Sequence, residues 1–376
     1  MLKSQWIYNS DNVWEKLSGD DIGFPQVILV FGVAPYFTEQ CYEDLREKFP
    51  KSDIIGCSTA GTIAGEVVDD ITVATFISLE KGHMKIAFKD FELAEESESV
   101  GESIAKELNE QDLKHIFVLS EGLNINGSEL AAGFNSVVAD NILVTGGLAG
   151  DGMNFNDTYV IANDIAKKNR VAAIGFYGDS IEVKSGCFAG WDEFGAERLI
   201  TKSQGNILYE IDGKPALDLY KSYLAEQTTD LPASGLKFPI SIRKDKTKDP
   251  VIRTLLAIDE ETHSITFAGD VPEGYHCRLM KSNINKLIDN AGFAAQQAKS
   301  KNSTYPELCI AVSCIGRRIV LSQLVEEEID SVQEKLGNHT MMTGFYSYGE
   351  LAPLEGLVEC ALHNQTMTLT VISENI

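Results

Sequence analysis

The hydrophobic and polar positions of this chain form a pattern that it repeats three times. A short apolar run leads into an amphipathic stretch, and a second apolar run then ends in a glycine-rich turn. In the first pass Val27-Ile28-Leu29-Val30 is followed by a helical period near 38–49 and by Ile54-Ile55-Gly56-Cys57-Ser58-Thr59-Ala60-Gly61. The second is Ile116-Phe117-Val118-Leu119, a helix near 127–139, then Leu143-Val144-Thr145-Gly146-Gly147-Leu148-Ala149-Gly150. The third is Ile310-Ala311-Val312, a helix near 326–336, then Met341-Met342-Thr343-Gly344-Phe345-Tyr346-Ser347-Tyr348-Gly349-Glu350. Each pass predicts strand, helix, strand. β-Branched or alternating segments after each glycine turn predict hairpins. These are 71–79 with 84–91 about Lys81-Gly82; 158–161, 171–177 and 181–183; and 359–363 with 367–372. The expected fold is therefore α/β: a layered sandwich of mixed or antiparallel sheets with outer helices, built from three pseudo-repeated β-α-β-β-β units.

The stretch 190–306 interrupts the repeat. A helix is expected near 215–225, with Pro215 in its first turn and Leu219, Tyr220, Tyr223 and Leu224 on its apolar face. Strand-like runs occupy 238–242, 254–258 and 264–267, with a hairpin turn at 259–262, and a helix follows near 285–299. A further helix starts at the acidic residues 95–98 and places Val100, Ile104 and Leu108 on one face. The mixed-charge run 244–249 reads as an exposed loop. The expected division is an N-terminal extension at 1–25, a first domain at 26–189 and a second at 190–376.

Length and charge narrow the function. At 376 residues the chain exceeds one ordinary core. A net charge of −24 repels phosphate and argues against nucleic acid or an anionic membrane as partner. Seven cysteines are scattered without a CxxC pair, mostly inside apolar runs, as expected of free thiols in a reducing, cytoplasmic compartment. No run of 18 apolar residues and no signal-like N-terminal segment occurs, so no membrane insertion is expected.

Candidate chemistry centres on the glycine turns. Their glycine order misses the dinucleotide fingerprint, and no lysine with serine or threonine completes a phosphate loop. Three turns at matching places point to one pocket, or related pockets, of closely approaching backbone. The candidate ligand-binding residues there are Gly56, Ser58 and Gly61 in the first turn and Gly147, Gly150 and Asp151 in the second. Purely structural turns are the alternative. In the third, Tyr346, Tyr348 and Glu350 would share one face of a strand and suit an amine-bearing or planar ligand. Tyrosines packed at the edge of a half-buried strand are the competing reading. Cys57-Ser58 lacks a visible base and orienting group, so small turn residues are expected there rather than a nucleophile. The six histidines form no ligand pair. His363, entering the last apolar strand, and His339, ahead of the third turn, are candidates for the single axial ligand of a haem, although a hydrogen-bonded core or edge histidine is the plainer reading. Without CxxCH such a haem b would be non-covalent. Asp151 and Glu350 leave a hydrolase or transferase as a class of its own, supported by position alone.

The segments IIGCSTAGTI at 54–63, EGLNINGSEL at 121–130 and VTGGLAGDGMNF at 144–155 resemble the N-terminal module of the FIST family of bacterial sensory proteins. NILYEIDGKPALDLYKSYL at 206–224, GFYSYGELAP at 344–353 and LHNQTMTLT at 362–370 resemble its C-terminal module. The resemblance runs from about residue 25 to the end. It implies a cytoplasmic, non-enzymatic ligand sensor that regulates a sensor histidine kinase or a cyclic-di-GMP enzyme in trans, and it admits a homodimer. Stand-alone members of this length imply haem-dependent nitric-oxide sensing, with an amino acid or small metabolite as the alternative ligand. The stretch 183–192 lacks a histidine and an arginine that close relatives carry before Gly190-Trp191-Asp192, which weighs against haem here.

Overall fold

The computed structural model describes residues 1–9, 11–33, 37, 39–65, 67–224, 228, 231–245, 250–299, 307–353 and 358–375. The first unit contains β1 (Leu2–Tyr8), β2 (Trp14–Gly19), β3 (Val27–Gly32), α1 (Glu39–Lys48), β4 (Asp53–Ser58), β5 (Thr62–Ala64), β6 (Val67–Asp69) and β7 (Thr72–Ser78). The second contains β8 (His83–Asp90), α2 (Ser97–Leu108), β9 (Leu113–Ser120), α3 (Gly127–Asn135), β10 (Leu143–Leu148), β11 (Val160–Ala162) and β12 (Arg170–Tyr177). The third opens with β13 (Ile181–Phe188). An insert follows, made of β14 (Asp192–Gln204), β15 (Ile207–Ile211), β16 (Lys214–Pro215), α4 (Ala216–Leu224), β17 (Ile240–Arg243), β18 (Val251–Arg253), β19 (Leu255–Asp259), β20 (Ser264–Phe267) and β21 (His276–Lys281). The unit closes with α5 (Ile284–Ala298), β22 (Leu308–Cys314), α6 (Ile315–Leu321), α7 (Val325–Leu336), β23 (Met341–Ser347), β24 (Gly349–Pro353), β25 (Cys360–His363) and β26 (Met367–Glu374). The expected α/β class is observed, and the three glycine turns end β4, β10 and β23. The expected helix positions Thr38 and Ala225 and the loop residues 246–249 lie outside the described residues; Lys244 and Asp245 are exposed.

Each unit builds one six-stranded sheet around a parallel pair: β3 with β4, β9 with β10, β22 with β23. The first strand of each pair is flanked antiparallel by β7, β12 or β26, and these by β1, β8 or β13. One glycine recurs at the same register of the second strand. A Cβ on Gly56, Gly146 or Gly344 would stand 2.1, 1.9 or 1.9 Å from the carbonyl oxygen of Val30, Val118 or Ala311 on the parallel partner. Only glycine lets the pair approach there.

The hairpins expected after the three glycine turns do not form: β11 pairs with β4 rather than β12, and β25 with β24 rather than β26. β8 does not return along β7; it crosses to the second sheet and pairs with β12, from His83↔Tyr177 to Asp90↔Arg170. β13 likewise leaves β12 and pairs with β26 in the third sheet. A period of two identifies a strand but not its partner. The crossing at 80–82 is held by Glu374, whose carboxylate accepts the amides of Glu80, Lys81 and Gly82 at 2.8, 2.7 and 2.9 Å. The stretch 1–25 is not a mere extension: β1 pairs with β7 along its whole length.

The units also exchange strands in a cycle. β4 is extended by β11 of the second unit, β10 by β24 and β25 of the third, and β23 by β5 and β6 of the first. The three turns close the same cycle. Gly150 N donates to Ser58 O (3.0 Å), Ala60 N to Tyr346 O (2.8 Å) and Tyr348 N to Leu148 O (3.2 Å). Leu29 and Phe31, Phe117 and Leu119, and Ile310 and Val312 meet in one buried core between the sheets. A second core lies between the sheets and helices α2, α3, α5 and α7. A pseudo-threefold arrangement of this kind hides edges that three separate sheets would expose.

The insert has its own core, built on Ile200, Leu208, Leu217, Tyr220, Ile265 and Phe267. Its strand order is β18-β17-β21-β14-β15-β20-β19, with β16 on β15. The long β14 serves both halves, pairing with β21 and then with β15. Polar bonds seat it on the body: Arg253 Nη1 donates to Leu362 O (3.0 Å), Thr254 N to Asn364 Oδ1 (3.2 Å), and Gln365 Nε2 to Leu236 O (3.2 Å).

Candidate functional site

A cavity of about 720 Å³ lies where the insert meets the second and third units. The body contributes the 122–127 loop, Leu148, Met153, Phe155, Tyr348 and Leu362, and the insert faces them with 254–256 and 267–270. This volume suits a small molecule, and the walls are predominantly apolar, as ligand sites are.

The 122–127 loop is held in shape before any ligand arrives. The buried Glu121 carboxylate accepts the amides of Leu123 and Asn124, both at 2.8 Å, and the Thr158 hydroxyl at 2.8 Å. A Cβ on Gly122 would stand 2.0 Å from Ala149 O, so the loop can approach the second turn only through glycine. Asn126 caps α3, its Oδ1 accepting from the amides of Ser128 (3.0 Å) and Glu129 (3.2 Å).

A second loop crosses the cavity from the glycine turn after β10. The Asp151 carboxylate accepts the amides of Phe155, Asn156 and Asp157 at 2.8–2.9 Å. It also accepts the Tyr348 hydroxyl, which in turn accepts the Asp151 amide at 3.1 Å. Burial alone would raise the Asp151 carboxyl; the hydrogen bonds from Tyr348 and the three amides outweigh it and hold the group below the ordinary range. The Phe155 ring stacks on Tyr348 with centroids 4.5 Å apart at 16°. Phe155 and Met153 remain 40% and 55% exposed, so this aromatic lip lies between cavity and solvent.

The expected site residues separate here. Tyr346, Tyr348 and Glu350 do not share a face, because the chain passes from β23 in the third sheet to β24 in the second at Tyr348, and the alternation breaks. Tyr348 lines the cavity. Tyr346 donates to Glu328 Oε1 at 2.5 Å, and Glu328 pairs with Arg317 at 2.7 Å, all three fully buried. Glu350 accepts the Ser347 hydroxyl (2.5 Å) and the Thr366 hydroxyl (2.9 Å). Burial pushes its carboxyl up to about 7 against those bonds.

The candidate residues Gly56, Ser58, Gly61, Gly147 and Gly150 are not part of the cavity wall. A Cβ on Gly61 would stand 2.5 Å from the Arg318 guanidinium, on Gly147 2.6 Å from Val312, and on Gly150 2.8 Å from Ala60 N. Ser58 Oγ accepts the Tyr159 amide at 2.9 Å. Cys57 is fully buried, and burial pushes its thiol well up, so neither residue is poised as a nucleophile.

Neither candidate histidine lines this cavity. His363 lies between Leu362 and Asn364, which line the cavity, but its own ring is buried. Its Nε2 meets Ala352 O at 3.0 Å. A carbonyl only accepts, so Nε2 carries the proton and the lone pair is on Nδ1 of a buried ring. Burial pushes the imidazole down to about 4. His339 is exposed before β23, at the end of that strand away from the cavity. No group of three metal-ligating side chains occurs among the described residues.

A FIST N domain model matches residues 26–214, and a FIST C domain model matches residues 216–353. The chain belongs to the FIST family. FIST domains are associated with the sensing of small ligands in signal transduction. The boundary between the two matches falls inside the insert, next to β16. This FIST protein is 23% identical over 325 residues to an uncharacterised protein of Methanocaldococcus jannaschii, covering 77% of this chain and 59% of the relative. Among solved structures it resembles a cyanuric acid hydrolase at 9% identity and TM-score 0.33, covering 94% of this chain and 91% of that one. The cyanuric acid hydrolase of A. caulinodans is similar at 7% identity and TM-score 0.34, covering 94% and 90%. Likenesses at this distance carry no functional argument. No helix among the described residues is long and apolar enough to cross a membrane.

The sequence motif EGLNINGSEL falls on the cavity loop and the cap of α3. The insert's contribution, Thr254 to Leu256 and Phe267 to Asp270, was missed; its strands were visible, but nothing in their periodicity says that their ends face a loop more than 100 residues earlier.

Proposed function

We propose that this FIST protein is a non-enzymatic sensor whose ligand occupies the cavity between insert and body, and that the ligand is a small organic molecule rather than haem. One observation carries the reading: the cavity is walled by two separately cored parts of the chain, so a ligand filling it touches both. Binding energy then changes how firmly the insert sits on the body. A partner that distinguishes the two seatings, a sensor histidine kinase or a cyclic-di-GMP enzyme acting in trans, receives the signal. The polar bonds at Leu362, Asn364 and Gln365 are those such a movement would make or break.

The test is a thermal-shift screen of small metabolites against the wild type and Leu256→Trp. Leu256 lines the cavity and is 44% exposed, so the larger ring fills space without entering a core. Ligands that raise the melting temperature of the wild type but not of the variant support the reading, because binding to the folded state alone must stabilise it. Ligands that stabilise both equally place the site elsewhere. Titration with haem tests the other ligand: a saturable Soret band that disappears in His363→Ala would overturn the preference for a small organic molecule.

A further inference from the structure

The polar groups of the cavity are unevenly charged. Among the described residues that line it, Asp270 carries the one carboxylate, and none is lysine, arginine or histidine. The Asp270 carboxylate accepts from Asn126 Nδ2 at 3.4 Å and makes no close ion pair with a described residue, although its charge acts on the buried Arg253 guanidinium behind the wall. More acid surrounds it. Burial raises the Glu129 carboxyl, and the charges of Asp270, Glu98 and Glu95 raise it further. Thr254 also lines the cavity, but its hydroxyl is turned into the wall, buried and without a hydrogen-bond partner.

The one cation nearby is spent on the wall itself. Arg253 sits behind Gly269, where a Cβ would stand 3.0 Å from its Nε. That Nε donates to Asp270 O at 2.9 Å, and Nη1 donates to Ile252 O and Leu362 O at 3.1 and 3.0 Å. The guanidinium therefore fixes the backbone of the wall and is not part of the lining. An α-carboxylate finds no cation among the lining residues, while an ammonium finds Asp270.

Resting on the cavity reading above, we propose that the ligand is an amphipathic amine: a monocation whose ammonium pairs with Asp270 and whose apolar or aromatic body lies against the Leu and Phe side chains and the Phe155–Tyr348 lip. A free amino acid is disfavoured by its carboxylate. The aromatic lip also suits a cation approaching a ring face.

Four matched probes test this by calorimetric titration: tryptamine, the neutral tryptophol, the anionic indole-3-propionate and the zwitterion L-tryptophan. Tryptamine is expected to bind about tenfold more tightly than each of the others. Asp270→Asn should weaken tryptamine about tenfold and leave tryptophol unchanged, and rising salt should weaken tryptamine alone. Equal or tighter binding of indole-3-propionate or L-tryptophan overturns the amine proposal, as does Asp270→Asn without effect on tryptamine. If tryptophol binds as well as tryptamine and Leu256→Trp abolishes both, the amine proposal falls and the cavity reading stands. Binding that survives Leu256→Trp overturns the cavity reading. Silence from all four probes overturns the amine proposal.

Discussion

The centre of the β-body and the interface between body and insert are built from opposite uses of the same kind of turn. At the centre, three glycine turns meet three others' backbones, and the space a side chain would need is filled by carbonyls and neighbouring strands. At the interface, the turn after β9 meets the insert, and a cavity of about 720 Å³ remains. Repetition produced tight packing, since three like turns can satisfy one another around a pseudo-axis. The insert follows only β13, so it covers one unit's end and leaves the other two without an equivalent. The cavity lies where the symmetry is broken.

That contrast can be tested from both sides. In the body, removing one member of the buried Arg317–Glu328–Tyr346 set should cost most. Arg317→Met leaves the Glu328 carboxylate buried and unpaired, and is expected to lower unfolding free energy by roughly 3–5 kcal/mol in urea titration. Adding Glu328→Leu should recover a large part of that loss; no recovery would mean that the pair is not the cause.

Next is pH. Glu350 has its folded carboxyl raised to about 7, so the stability it contributes is full below its ordinary value and lost as pH rises through 7, by up to about 3 kcal/mol. His363 acts in the other direction. Its imidazole is lowered to about 4, so stability present above 6.5 is lost as pH falls towards 4. Glu350→Gln should remove the fall in stability between about pH 4.5 and 7 alone. A profile unchanged in that range would show that Glu350 is ionised without penalty.

Gly344→Ala places a methyl 1.9 Å from Ala311 O and should cost about 1–3 kcal/mol, or more if the parallel pair cannot part. At the cavity, Tyr348→Phe removes a hydroxyl bonded to a carboxylate and should cost roughly 1.5–3 kcal/mol, while loosening the Asp151 loop enough to speed its hydrogen exchange. Leu256→Trp should change stability by only about 0.5 kcal/mol, because Leu256 is a half-exposed surface residue, yet abolish ligand-induced stabilisation. If Leu256→Trp proved as costly as Gly344→Ala, the cavity wall would be as tightly packed as the centre and the contrast would fail.

The sequence by itself determined the repeat, the elements and the family. Apolar runs of four to six residues, helical periods and glycines at matching places are local patterns, and each states a local preference that the fold did not override. The same patterns were silent on partners. β8 and β13 read as ends of hairpins and instead open the next sheet, since alternation specifies which face is buried and not which strand lies alongside. Tyr346, Tyr348 and Glu350 read as one face, and a sheet change at Tyr348 sent their side chains to three different places. Tertiary structure alone decided the cyclic exchange of strands, the buried setting of His363 and the cavity. Each of these depends on contacts between residues far apart in the chain, such as Asn126 with Asp270 or Arg253 with Leu362, and no local pattern records which distant residue will arrive.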